Sequence, residues 1–552
     1  MNLVKSFIAL ILLVLTLVSC KKDTVTIIPP KPEQFSLIQV QVNDKQGGYN
    51  FTDISLSPDI RLKFSAPVDR NSVNNNIKFL LDSGIQPFTT SFENNDSVVK
   101  FIPTNQLITL TKYSITIFKN LVSKKQTALD TDYKISLLTA MDSSDKFPRI
   151  TDAELLDLIQ RKTFSYFWDL GHPVSGMARD RNSSGDIVTS GGTGFGVMSI
   201  VVGIERNFIT RSQGLGRLLT IADFLQNSAH RYHGAFPHWL NGTTGETIPF
   251  TTQDNGADLV ETAFLMQGLL TARQYFNDPV NAQEIQLRGI INTLWQDVEW
   301  DWFRKNNENA LYWHWSPTDG WAINMKVQGW NEALMVYVLA ASSPTHTIDK
   351  TVYENGWASN GGIRLNQSFY GFPLQLGEAY GGPMFFAHYS FLGLDPRNLS
   401  DQYANYMQQN TNHSLVNYTY CKTNPNSNRG YSSECWGLTA SDIPNGYSAS
   451  SPTNDRGVIA PTAAISSLPY TPVESMQAIR FFYYKLGDKI WGDYGFTDAF
   501  SMREAWFASS YLAIDQGPEI IMIENYRTQL LWNLFMSCPE VNGGLTKLGF
   551  SH

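Results

Sequence analysis

From about Ser143 onward the chain alternates two kinds of helical stretch, and that alternation is its strongest constraint on fold. A first helix begins at Thr151, where Thr151 and Glu154 form a capping box ahead of Leu155, Leu158, Ile159 and Phe167. Further windows begin near Gly194, Ser212, Gly256, Asn281, Val327, Glu378, Ser400, Gly457, Pro472 and Pro518, with a short irregular element near Lys350. Every second window is apolar around its circumference and opens with glycine among polar residues. The openings are Gly194-Phe195-Gly196, Gly256-Ala257-Asp258, Gly329-Trp330-Asn331-Glu332, Gly377-Glu378-Ala379-Tyr380, Arg456-Gly457-Val458 and Gln516-Gly517-Pro518-Glu519. A helix apolar on all sides has to be buried. Six buried helices alternating with six amphipathic ones predict an (α/α)6 toroid, so the chain is mainly α. The inner N-termini then meet at one end, bringing unpaired N–H groups and partial positive charge. A binding site is expected there.

Residues 35–140 read differently. Ile38–Val42, Ile60–Phe64, Val98–Ile102 and Tyr113–Ile117 alternate apolar and polar, broken by Asn, Asp, Gly and Pro. That is the pattern of a small all-β sandwich. Before it, residues 1–19 carry Lys5, an apolar run from Phe7 to Val18 and the ending Leu17-Val18-Ser19-Cys20. The expectation is a lipoprotein signal peptide cleaved before Cys20, with lipid on that cysteine and a tether over residues 20–34. The chain would then sit in the cell envelope, anchored to a membrane by lipid. Residues 143–552 form the helical domain.

The net charge of −8 and the lack of a basic tract argue against nucleic acid as a partner. The aromatic share of 13% is high and suits stacking on sugar rings as well as core packing. Cys421 and Cys435 lie in a Gly/Asn/Ser-rich stretch and could bridge, which leaves Cys538 as a buried thiol. No cysteine or histidine pair has metal-ligand spacing, so neither a metal nor a cofactor is indicated.

Glycosidic cleavage needs a proton donor and a second carboxylate. Asp258 and Glu261 fall on one face at the start of one inner helix, Glu332 at the matching place on the next, and Glu524 on the last. Neighbours on one helix have Cβ atoms about 5–6 Å apart, whereas inverting chemistry uses carboxyls roughly 6.5–9.5 Å apart. The acid–base pair is therefore expected to span two helices. Glu332 or Glu261 is the candidate acid, and Asp258 the group that binds a hydroxyl or polarises water. Arg179, Asp180, Trp239, Trp330, Tyr380, His388, Asp515, Gln516 and Glu524 are the candidate sugar-binding residues, because they gather aromatic and polar groups near inner-helix starts. Each also has a plain structural reading: Asp258 as a first-turn acid, Glu524 paired with Arg527, the aromatics as core.

Across roughly residues 150–545 the chain resembles the Putative glucoamylase (glycoamylase-like) family, and within it glycoside hydrolase family 144, the endo-β-1,2-glucanases. The resemblance is carried by Tyr166-Phe167-Trp168, Gly176–Arg181, Thr193–Gly196, Gly234–Asn241, Asp258–Thr262, Gly329–Glu332, Asp515–Pro518 and Ile523–Arg527. The run Phe64–Asp69, with Pro103, Leu107 and Tyr113, is similar to a bacterial Ig-like module. The resemblance implies inverting hydrolysis of β-1,2-glucan to short sophoro-oligosaccharides, with Asp258, Glu261 and Glu332 in the cleft. It also implies a glucan as partner; separately, the protein is expected to be a monomer. Two alternatives stand beside it: a non-catalytic glycan-binding lipoprotein, and a glycosidase or transglycosylase of the same fold acting on another glucan.

Overall fold

The computed structural model describes residues 34–552; the signal peptide, Cys20 and the tether up to residue 33 lie outside the described residues. The chain divides into two compact units, the boundary falling between Ala140 and Met141.

The first unit is a sandwich of two five-stranded sheets. Its strands are β1 (Leu37–Val42), β2 (Lys45–Gln46), β3 (Asn50–Ile54), β4 (Ile60–Phe64), β5 (Ile77–Leu81), β6 (Gly84–Ile85), β7 (Phe88–Glu93), β8 (Val98–Pro103), β9 (Lys112–Ile117) and β10 (Tyr133–Thr139). One sheet has the order β2-β1-β4-β8-β7 and the other β3-β10-β9-β5-β6. Alternation puts Ile60, Leu62 and Phe64 of β4 and Tyr113, Ile115 and Ile117 of β9 into one core. A short helix, α1 (Arg70–Asn76), enters β5; Asp69 caps it by accepting the Asn71 N–H at 3.0 Å.

The second unit is the toroid. Its outer helices are α2 (Asp152–Trp168), α4 (Arg211–Asn227), α6 (Ala282–Asp297), α8 (Lys350–Asn355), α9 (Tyr406–Thr423) and α11 (Pro472–Ile490). Its inner helices are α3 (Ser190–Glu205), α5 (Leu259–Tyr275), α7 (Leu334–Ser342), α10 (Pro461–Ile465) and α12 (Ala513–Thr528). Two further helices, α13 (Leu530–Met536) and α14 (Pro539–Leu548), close the chain. The Thr151–Glu154 capping box forms as the sequence predicts. In α3 every residue from Ser190 to Ile204 is buried, as expected of a helix enclosed by others. Small residues let α3 and α5 touch backbone to backbone: a Cβ on Gly194 would meet the Phe264 carbonyl at 2.1 Å, and one on Gly268 would meet that of Gly194 at 2.1 Å.

The fourth inner position departs from the expected helix. It consists of 3-10 turns at Ala379–Gly381, Met384–Ala387 and Ser390–Leu392. Tyr380, Gly381 and Gly382 all have positive φ (64°, 92° and 87°) and Pro383 follows, so no α-helix can run through. The inner helices also start several residues away from their glycine-rich openings: α5 begins after Asp258, and α7 begins after Glu332. Cys421 and Cys435 do not pair; with Cys538 they are free and buried.

Candidate active site

A cavity of about 300 Å³ opens at the inner N-terminal end, lined by Asp254, Asp258, Glu261 and Glu332 among aromatic residues that include Phe250, Trp313, Phe385, Tyr389 and Tyr447. Asp258 is the N-cap of α5. Its Oδ1 accepts the Val260 N–H at 3.0 Å and the Glu261 N–H at 2.9 Å. Its Oδ2 takes His238 Nδ1 at 3.3 Å and lies 3.6 Å from His314 Nε2. His314 reaches this place because it pairs across strands with Asp258, and its Nε2 is also 3.5 Å from Asp254. Burial alone would raise the Asp258 carboxyl, but the His238 bond and the two imidazoles outweigh it, and the group is held below its usual range.

Its neighbours are pushed the other way. Burial lifts Glu332 to about 7, helped by the charges of Glu261 and Asp258. Glu261 is raised by burial and by Asp258, although it accepts the Gly191 N–H at 2.8 Å and the Thr189 hydroxyl at 3.2 Å. Asp254 is raised by burial and by Asp258. His238, despite its burial, is lifted to about 10 by Glu261, Asp258 and Asp180 and is an imidazolium at neutral pH. At a pH of about 6 the cavity therefore holds an ionised Asp258 beside a protonated Glu332. His238, Asp254 and Asp258 also bring ligand atoms within 4.8 Å of one another, but a protonated His238 has no lone pair to offer, so this set could hold a divalent cation only after His238 loses its proton.

The other sequence candidates divide. Trp239 is outside the cavity lining but packs its ring on two residues that line it, His238 and Phe250, at centroid distances of 5.7 and 4.7 Å. Asp180 is raised by burial and adds to the charge felt by His238. The Arg179 carbonyl accepts the Tyr166 hydroxyl at 2.8 Å, so this residue is tied into the wall by its backbone. Tyr380 stands outside the cavity lining. Trp330 is buried between Phe391, Tyr406 and His413 and lines a second cavity. His388 is core: it bonds Ser467 at 3.0 Å, faces Tyr470, and burial drives it down to about 3. Glu524 is not at the site. It forms a two-pronged pair with Arg206 at 2.7 Å, while Arg527 bonds Gln160 instead. It lies nine residues beyond Asp515 on α12, roughly 13 Å along the axis.

Asp515 and Gln516 sit behind the cavity wall, which takes Ile514 from the same turn. Gln516 donates to the Phe496 carbonyl at 3.1 Å. Asp515 belongs to a buried carboxyl group with Asp498 and Glu519, all raised, first by burial. Asp498 stands at about 7. A carboxyl raised on folding stabilises fully below its unfolded value and loses that contribution as pH rises through the folded one. The midpoint of thermal unfolding is therefore expected to fall as pH rises from about 4 to about 7, with Asp498 alone contributing up to ~4 kcal/mol of the loss. Asp498→Asn should flatten the profile, and a wild-type midpoint constant over that window would refute the assignment.

Sequence reasoning missed Asp254, His238 and His314 as partners of Asp258. His238 stands next to Trp239, and His314 lies within a Trp-His-Trp run, but only the folded chain brings them to Asp258, His314 through the strand pairing and His238 through its Nδ1.

The toroid with carboxylates of opposite protonation at its inner N-terminal mouth defines the class. Residues 324–539 match the Putative glucoamylase family and residues 41–139 the bacterial Ig-like domain family. A putative glucoamylase from Bacteroides uniformis is 54% identical, with a TM-score of 0.72 over 73% of this chain and 99% of that one. An endo-β-1,2-glucanase from Chitinophaga pinensis, in complex with sophorotriose and glucose, is 51% identical, with a TM-score of 0.71 over 73% and 99%. An exo β-1,2-glucooligosaccharide sophorohydrolase from Parabacteroides distasonis is 45% identical over 446 residues, 77% of this chain. The chain spans 61% of that enzyme's length. The chain belongs to the Putative glucoamylase family.

Proposed function

We propose that this chain hydrolyses β-1,2-glucan by inversion, releasing short sophoro-oligosaccharides. The observation that carries the reading is the pairing of a protonated Glu332 with an ionised Asp258 on one cavity, from two different inner elements. Glu332 gives its proton to the glycosidic oxygen as the bond from that oxygen to the anomeric carbon breaks. A water oxygen bonds to that carbon from the opposite face, and its proton passes to Asp258. His238 and His314 keep Asp258 ionised until then. Glu261, anchored by Gly191 and Thr189, raises the Glu332 carboxyl and shapes the floor. The similarity to two β-1,2-glucan-degrading enzymes supports the choice of linkage. The test is a panel of linear β-1,2-glucan, starch, laminarin and cellulose. Reducing ends from β-1,2-glucan alone are expected. Cleavage of starch alone would overturn the linkage, and binding without turnover would make the protein a glycan-binding module.

The same proposal places the protein in the cell envelope as a monomer held by lipid on Cys20. A Cys20→Ser chain should take up no labelled fatty acid and should leave the membrane fraction; unchanged labelling would remove Cys20 as the anchor.

A further inference from the structure

A second cavity of about 380 Å³ adjoins the catalytic one along the chain. Asn331 and Phe386 line it, whereas their immediate neighbours Glu332 and Phe385 line the first. Its lining is rich in hydrogen-bonding groups: the amides of Gln328 and Asn331 and the exposed carboxylate of Glu378. Two residues beyond Glu378 stands Tyr380, whose ring lies 4.3 Å from Phe369 and 5.9 Å from Tyr370. The last two residues belong to a hairpin, Arg364–Phe369 with Phe372–Leu376, that runs along α9. At its base Gln375 and Leu376 donate to Gln409. Its tip reaches the level of Tyr420, 6.5 Å from Tyr380, at the C-terminal end of α9. Outer helices run antiparallel to inner ones, so this is the end of the toroid where the catalytic cavity opens.

The tip is costly for its sequence. Phe369 pairs with Phe372, which leaves a two-residue turn of Tyr370 and Gly371 with φ of 54° and 88°. Both central residues of such a turn need positive φ, and Asn, Asp or Gly is favoured at the first. Tyr380 carries φ of 64° as well. Two aromatic residues thus stand in left-handed backbone where short polar ones would be at ease. Tyr370 is 40% exposed, so core packing does not account for it.

We propose that Tyr370 and Tyr380, with Gln328, Asn331, Glu378 and Phe386, form a distal glycan subsite. It would hold glucosyl units of the same chain beyond those at the cleavage point, through ring stacking on the two tyrosines and hydroxyl bonds to the amides and carboxylate. The subsite rests on the proposed glucanase activity, and it makes the enzyme favour long chains over short ones.

The test is Tyr370→Asn in the full chain, assayed on long β-1,2-glucan and on a ladder of β-1,2-linked oligosaccharides. Asn relieves the turn, so the thermal midpoint should hold or rise. KM for long chains should nevertheless rise roughly tenfold, about 1.4 kcal/mol, while efficiency on the shortest cleavable oligosaccharide changes less than about twofold. Glu378→Gln should shift the same ratio in the same direction. An unchanged long-to-short ratio in both variants overturns the subsite, as does an equal loss on every chain length. Wild-type protein inactive on every β-1,2-linked chain would instead remove the glucanase activity, and the subsite with it.

Discussion

Replacing Glu332 by Gln is expected to lower kcat/KM on β-1,2-glucan by roughly 10²–10⁴-fold and to leave the fold intact. Glu332 lies in the turn just before α7, so among the described residues it caps no helix and closes no ion pair. Its value of about 7 arises first from burial and then from Glu261 and Asp258, none of which needs its own charge. Gln keeps the shape and removes the proton proposed to reach the leaving oxygen. The pH profile gives an independent check. A general acid works only while protonated, so wild-type kcat/KM should decline as pH rises through about 7. The residual activity of Glu332→Gln should lack that decline. A variant that keeps full activity would remove Glu332 from the chemistry.

Asp258→Asn is expected to cost as much, roughly 10²–10⁴-fold, for a different reason. The Asp258 carboxylate does two jobs on separate oxygens: Oδ1 caps α5 and Oδ2 stands between two imidazoles. Asn caps a helix about as well as Asp, so α5 should persist and the thermal midpoint should move little. What disappears is the ionised group proposed to accept the proton of water. His238 should also lose part of its elevation, since the Asp258 bond and charge help to hold it at about 10. The check is kcat/KM alongside a thermal melt and an NMR titration of His238. Full activity with an unchanged His238 titration would show that Asp258 is only a cap.

These two variants also separate what the sequence makes legible from what it hides. The toroid could be read because α3 and α5 are apolar on every face, and only an enclosed helix tolerates that. The sandwich could be read from alternation in β4 and β9. Asp258, Glu261 and Glu332 could be brought together because each lies at the start of an inner element, and the topology gathers those starts. Glu524 failed the same logic: it lies on an inner helix, but near its far end, where Arg206 neutralises it. His388 failed because a histidine beside Gly-Gly-Pro reads as a loop residue, whereas the broken fourth inner element carries it into the core beside Ser467. Trp330 and Glu332 are two residues apart, yet they line different cavities. The ion-pair network around Asp258 was out of reach because His314 arrives by a strand pairing 56 residues away, a contact that no local pattern encodes.

If Glu332 and Asp258 act from opposite faces of the scissile bond, the anomer of the first-formed product must show it. Linear β-1,2-glucan is cleaved in an NMR tube and the new reducing end is observed before mutarotation. Inversion at a β-linkage predicts an α-anomer that relaxes toward the equilibrium mixture. A β-anomer formed first would mean retention, and with it a carboxylate acting as nucleophile, which would contradict both Glu332 as the acid of an inverting pair and Asp258 as its base.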